Sequence, residues 1–254
     1  MQLNYKQLGE GQPLIILHGL FGMLDNWQTL GKRFSEDFQV FLLDQRNHGK
    51  SDHNAVIDYP SMADDLYDFM YDHDLDQAHI LGHSMGGKTA MQFAHTYPEK
   101  VNKLVVVDIA PKAYRGGHQL IFEALFNVPI ETIESRKEVD VILNQKIDEV
   151  GIRLFLMKNL MRNKDGGYKW KMNLDSIHHH YEDILSAIRP ESPFSNPTLF
   201  IKGENSNYIK EKDNELILAQ FPNSNIETVA KTGHWVHAEA PDTLFSLVKG
   251  FLNK

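Results

Sequence analysis

The sequence contains no cysteine. Disulfide staples and thiolate chemistry are excluded with it. No apolar run approaches the ~20 residues that span a bilayer. The opening MQLNYKQLGEG has no apolar core of the kind a secretory signal needs, so the cytoplasm is the expected compartment. Basic charge is scarce too. Twenty-six Lys and Arg stand against 34 Asp and Glu, a net charge of −8, which is the opposite of the basic face a nucleic-acid partner requires. No internal repeat or low-complexity tract interrupts the 254 residues, a length sufficient for one well-buried α/β domain with room for an insertion.

What is present is an alternation of short apolar runs and amphipathic stretches. Leu14–Leu17, Val40–Leu43, Ala78–Leu81 and Leu104–Val107 read as strands buried on both faces, and Leu3–Leu8 as an edge strand. Between them, Asp25–Phe34 carries Trp27, Leu30 and Phe34 at helical spacing. Ser61-x-x-Asp64 reads as a capping box opening a helix with Leu66, Phe69, Met70 and His73 on one face. Its aspartates, Asp64, Asp65, Asp68 and Asp72, read as a solvated surface. This rhythm implies a doubly wound, mostly parallel sheet. It breaks after Asp108. Residues 111–190 hold no convincing buried strand, and their helical patterns are Ile121–Phe126, Glu134–Gln145, Gly151–Met161 and Leu174–Ile188. A helical insertion between core strands is expected to cap the site, dividing the chain into a core (1–110 and 191–254) and a cap (111–190). Strands resume at Thr198–Ile201 and Asn225–Val229, and Pro241 opens a last helix.

The chemistry concentrates in Gln77–Pro98. A strand runs into Gly82-His83-Ser84-Met85-Gly86 and then into a helix, the G-x-S-x-G elbow in its strand–turn–helix setting. A serine at such a tip sits in a strained backbone, so its neighbours two residues away must be nearly free of side chain. Ser84 is therefore the candidate nucleophile. Serine needs a base within hydrogen-bond reach. Of 13 histidines, His234 follows the last strand and opens at the same carboxyl edge of the sheet. His83 reads as packing and His237 as a neighbour standing behind the base. The run His178-His179-His180 reads as an exposed cap helix, since consecutive helical residues do not face one another.

The acid that orients the base is less plain. The usual place after the penultimate strand holds Glu204-Asn205-Ser206, with no aspartate. Asp108 ends the strand next to the elbow, and neighbouring strands lie only ~4.8 Å apart. Asp108 leads, with Glu204 and then Asp213 as alternatives. For the oxyanion, the N–H of Met85 is one expected donor, and Leu20 in His18-Gly19-Leu20-Phe21-Gly22 the other, with Phe21 close behind. Phe21, Phe122, Phe126, Phe155 and Met157 are expected to line an apolar acyl pocket.

Together these residues resemble the α/β-hydrolase superfamily, and more narrowly its small YbfF-type esterases and their mitochondrial ABHD-eleven relatives. The resemblance rests on His18–Trp27, Asp44-Gln-Arg-Asn-His-Gly49, Gly82–Lys88, Val107-Asp-Ile-Ala-Pro111 and Gly233–Glu239. It implies a serine esterase or thioesterase that needs no cofactor or metal and acts on small-molecule acyl esters or thioesters, acyl-CoA among them, as a monomer or homodimer. It also implies the acid at Asp108, with Ser206 assisting His234. C–C bond hydrolases and menaquinone-pathway synthases use the same triad and stand as rivals, as does a catalytically silent binding module.

Overall fold

The computed structural model describes residues 1–164 and 166–254. Among the described residues, nine strands and eleven α-helices follow one another. The strands are β1 (Tyr5–Leu8), β2 (Gln12–Leu17), β3 (Phe38–Leu43), β4 (Ala78–His83), β5 (Val101–Val107), β6 (Leu160–Arg162), β7 (Tyr168–Trp170), β8 (Thr198–Gly203) and β9 (Ser224–Val229). The helices of the first half are α1 (Gln28–Phe34), α2 (Tyr59–Asp72) and α3 (Met85–Thr96). Between β5 and β8 lie α4 (Gln119–Phe126), α5 (Arg136–Leu143), α6 (Val150–Met157), α7 (Leu174–His179) and α8 (Tyr181–Leu185). The chain ends through α9 (Asn214–Gln220), α10 (Val236–Glu239) and α11 (Pro241–Leu252).

Seven strands form one sheet in the order β1-β3-β2-β4-β5-β8-β9, parallel except for β1. The expected doubly wound sheet is what forms. Its central strands are apolar on both sides because both faces are covered. In β2, Ile15 and Leu17 join the core beneath α2 and α3, while Leu14 and Ile16 join the core beneath α1 and α11. Each fully buried side chain of this kind contributes ~1.5–3 kcal/mol. The order places β4, which ends at the elbow, between β2 and β5. Loops leaving all three open at the same carboxyl edge.

Several local expectations are corrected. The second helix begins at Tyr59, with Asp58 as its cap accepting from Ser61 N at 2.8 Å. Ser61 is therefore capped, not capping, because an aspartate followed by Pro60 in the first turn is a stronger start signal. Asp65 leaves the solvated face assigned to it and is buried against Arg46, with Nε–Oδ2 at 2.5 Å and Nη2–Oδ1 at 2.8 Å. Asp25–Phe34 divides into a 3₁₀ turn, Leu24–Trp27, and α1. Gly151–Met161 stops being helical at Met157, and Leu160–Arg162 pairs with Tyr168–Trp170 as a two-stranded ribbon. Three-residue strands are too short for periodicity to reveal. The polar spacer Asn163–Gly167 joins them, and its residue 165 lies outside the described residues. Leu174–Ile188 breaks at His180 into α7 and α8. No helix among the described residues is long and apolar enough to cross a membrane.

Candidate active site

Ser84 stands between β4 and α3 with φ 54° and ψ −120°, a left-handed conformation costly to a residue with a side chain. The turn is held because Ser84 N donates to Val107 O at 3.0 Å and because nothing larger than hydrogen fits beside it. A Cβ on Gly86 would lie 2.5 Å from the carbonyl oxygens of both Leu17 and His18.

Ser84 Oγ lies 3.0 Å from His234 Nε2, and His234 Nδ1 lies 2.7 Å from Asp108 Oδ2. Asp108 is fully buried at the end of β5, itself at φ 52°. Its Oδ1 accepts from Gly203 N at 3.0 Å, and its Oδ2 also accepts from the Ser206 hydroxyl. A carboxylate can only accept, so Nδ1 carries the imidazole proton and Nε2 is left to accept from serine. Tyr208 lies flat against the His234 ring, centroids 3.8 Å apart, and its N–H donates to Ser206 Oγ. On the other side, His83 Nε2–H donates to His234 O at 2.9 Å. His83 is held well below the ordinary histidine range by burial, so this brace stays neutral.

The two other candidate acids are engaged elsewhere. Glu204 is exposed and accepts from Lys231 N. Asp213 is buried against Lys112. Ser206 reaches Asp108, not the histidine ring.

The loop after β2 turns at Gly19–Gly22, closed by Gly22 N to Gly19 O at 3.0 Å. Phe21 N donates to His48 Nε2 at 3.3 Å, so Phe21, the alternative to Leu20 as the loop's donor, is occupied. Leu20 N–H donates to no protein group among the described residues. The supports of this loop gave little warning in the sequence. His18 Nδ1–H donates to Gly19 O, and its Nε2 accepts from Gln45 N at 3.0 Å. His48 Nδ1–H donates to Arg46 O. Burial first lowers these rings, His18 to about 4 and His48 to about 3, so both act as neutral acceptors at ordinary pH. Asp44 gathers Leu24 N, Lys50 N and the Asn4 amide. The Asp44–Gly49 motif is thus the scaffold of the loop after β2, a role legible only once β3 is known to lie beside β2.

A cavity of about 530 Å³ opens on Ser84, lined by Leu20, Phe21, Met85 and Phe155 as well as His234. Three expected pocket residues fall elsewhere. Phe122 is buried behind Phe21, Met157 is buried off the lining, and Phe126 is half exposed against His178. His237 does face the cavity, stacked on Trp27 at 4.7 Å. Lys88 and His118 also line it, and neither was foreseen. Among the described residues no cluster of three or more His, Asp or Glu side chains is arranged to hold a metal ion.

A family profile described as alpha/beta hydrolase fold matches residues 12–241, nearly the whole chain. The chain belongs to that family. This hydrolase is 36% identical to Esterase YbfF of Escherichia coli, with all of both chains covered. It is 37% identical to the sn-1-specific diacylglycerol lipase ABHD11 of Mus musculus, over 94% of this chain and 80% of that one. Among solved structures, a marine microorganism esterase superposes with a TM-score of 0.97 at 43% identity, covering 98% of this chain and 99% of that one. Likeness at this coverage makes the hydrolase a serine hydrolase of small-molecule carboxylic esters.

Proposed function

We propose that Ser84, His234 and Asp108 are the working triad of this ester hydrolase, and that it proceeds through an acyl-enzyme on Ser84. The observation that carries this is the continuous path from Ser84 Oγ to His234 Nε2 (3.0 Å) and from Nδ1 to the buried Asp108 (2.7 Å). His234 takes the serine proton as Oγ attacks the ester carbonyl, and Asp108 stabilises the imidazolium so formed. The N–H groups of Met85, at the N-terminus of α3, and of Leu20, in its histidine-braced turn, receive the oxyanion. His234 then gives its proton to the departing alcohol, and water repeats the sequence to release the acid. Ser206 supports the triad from behind Asp108.

Residues 111–190 serve as the cap. Asn159 of the segment after α6 donates to Phe21 O at 2.8 Å, and Lys88 of α3 donates to the carbonyls of Leu185 and Ser186, so the lid is bonded both to the oxyanion loop and to the helix that follows Ser84. The apolar lining suits short to medium acyl groups. Thioesters, acyl-CoA included, fit the same chemistry. A cytoplasmic monomer or homodimer is the accompanying reading. Labelling with a fluorophosphonate probe, followed by peptide mapping, is the test. Adduct on Ser84, lost in Ser84→Ala along with p-nitrophenyl butyrate hydrolysis, is expected. Full hydrolysis by Ser84→Ala would overturn the assignment.

A further inference from the structure

The cavity is mostly apolar, which makes its polar members informative. One, His118, stands just before α4 in the segment between β5 and β8 and is used by no step above. Its ring lies edge-on to Phe21 of the oxyanion loop, centroids 5.8 Å apart, and edge-on to Tyr181 at 5.6 Å. The Tyr181 hydroxyl oxygen accepts two backbone N–H groups, from Gly117 and His118, at 3.2 Å each. A phenol has one proton and two acceptor positions. Both positions are taken, so the proton must go to the third partner, His118 Nδ1, 2.5 Å away. Nδ1 is therefore an acceptor, and the ring proton resides on Nε2. Burial, and then the nearby His234 ring, lower His118 to about 4, so the ring is neutral in the working range. The Nε2–H donates to no protein group among the described residues.

A rigid single donor fixed in an apolar wall is a recognition element. Its place decides what it reads. His234 delivers its proton to the leaving-group oxygen, so the alcohol portion lies on the His234 side of the cavity. His118 and His234 line the same cavity. We propose that His118, with its tautomer locked by Tyr181, is a specificity-determining residue whose Nε2–H binds an ether, carbonyl or hydroxyl oxygen carried by the alcohol portion of the ester, a few atoms beyond the ester bond. The inference rests on the ester-hydrolase mechanism given above and adds a preference within that class.

The test compares kcat/KM for 2-methoxyethyl butyrate and n-butyl butyrate, near-isosteres differing by one oxygen in the alcohol chain. The ratio within one preparation is independent of the folded fraction. Dividing the wild-type ratio by a variant's cancels the difference in intrinsic reactivity. One neutral hydrogen bond corresponds to about 3- to 10-fold. His118→Phe is expected to lower the ratio by that factor, and Tyr181→Phe to lower it in part, because Nδ1 and Nε2 then compete for the proton. His118→Gln, which keeps an N–H donor, is expected to recover much of it. A ratio in His118→Phe within twofold of wild type would overturn the inference and leave ester hydrolysis standing. Failure of the wild-type protein to turn over either ester would instead remove the hydrolase mechanism, and this inference with it.

Discussion

Replacing Asp108 by asparagine exposes how the site fixes a tautomer. The backbone tolerates the change, since asparagine is among the few residues that accept a left-handed conformation such as the φ of 52° here. Shape and volume are kept. What changes is that one oxygen becomes an NH₂ group, and the surroundings dictate which. Gly203 N–H points at Oδ1 from 3.0 Å, so the amide must present its oxygen there, because the reverse orientation would set two donors face to face. The NH₂ group is then forced onto the other position, 2.7 Å from His234 Nδ1. To accept from it, His234 must move its proton to Nε2, where it can no longer receive the proton of Ser84. In the serine-protease triad the equivalent exchange costs about 10⁴ in kcat, or ~5.5 kcal/mol of barrier. We expect a loss on the order of 10³–10⁴ in kcat for p-nitrophenyl butyrate, little change in KM, and an unaltered circular dichroism spectrum. Activity within tenfold of wild type would refute the reasoning, as would a comparable loss in Glu204→Gln.

Three further outcomes are expected. Ser206→Ala removes a donor to Asp108 Oδ2 and the acceptor of Tyr208 N–H, and kcat should fall by about 10- to 100-fold, a charge-assisted bond being worth ~1.5–3 kcal/mol; an unchanged kcat would show that Gly203 N–H alone suffices. Lys88 is pulled down to about 7 by burial and then by the charge of Lys112, and binds fewer protons folded than unfolded between pH 7 and its ordinary 10.5. Its cost is thus full below about pH 7 and fades as pH rises, so urea unfolding of wild type should gain on the order of 2–3 kcal/mol between pH 7 and 9.5 relative to Lys88→Met; parallel pH curves for the two proteins would contradict this. His18, His79, His95, His118 and His237 are all lowered to about 4 by burial, so the unfolded chain takes up their protons first as pH drops below 6.5. Each adds a loss of up to ~1.4 kcal/mol per pH unit, and the unfolding midpoint should fall steeply from pH 6 to 5, whereas a flat profile there would mean that these rings are hydrated.

The sequence by itself determined the elements whose signals are local. Four apolar runs announced the central strands, because a parallel sheet covered on both faces needs side chains apolar on both sides. The elbow was legible because a strained turn between β4 and α3 tolerates only glycine at positions 82 and 86. Where several residues competed for one role, chain order narrowed the choice, as it did for His234. Tertiary structure alone decided the rest. Asp108 led the candidate acids on sequence, and its contact with His234, which Glu204 and Asp213 do not make, follows from β5 lying between β4 and β8. Only the tertiary structure shows His18 and His48 beneath the turn after β2, Tyr208 against His234, and His118 and Tyr181 across the cavity. These are hydrogen-bonding and stacking partners separated by tens to a hundred or more residues, whose meaning lies in which atom faces which. A residue's chemistry can be read from its type, but its protonation, its partner and its direction are set by what packs around it.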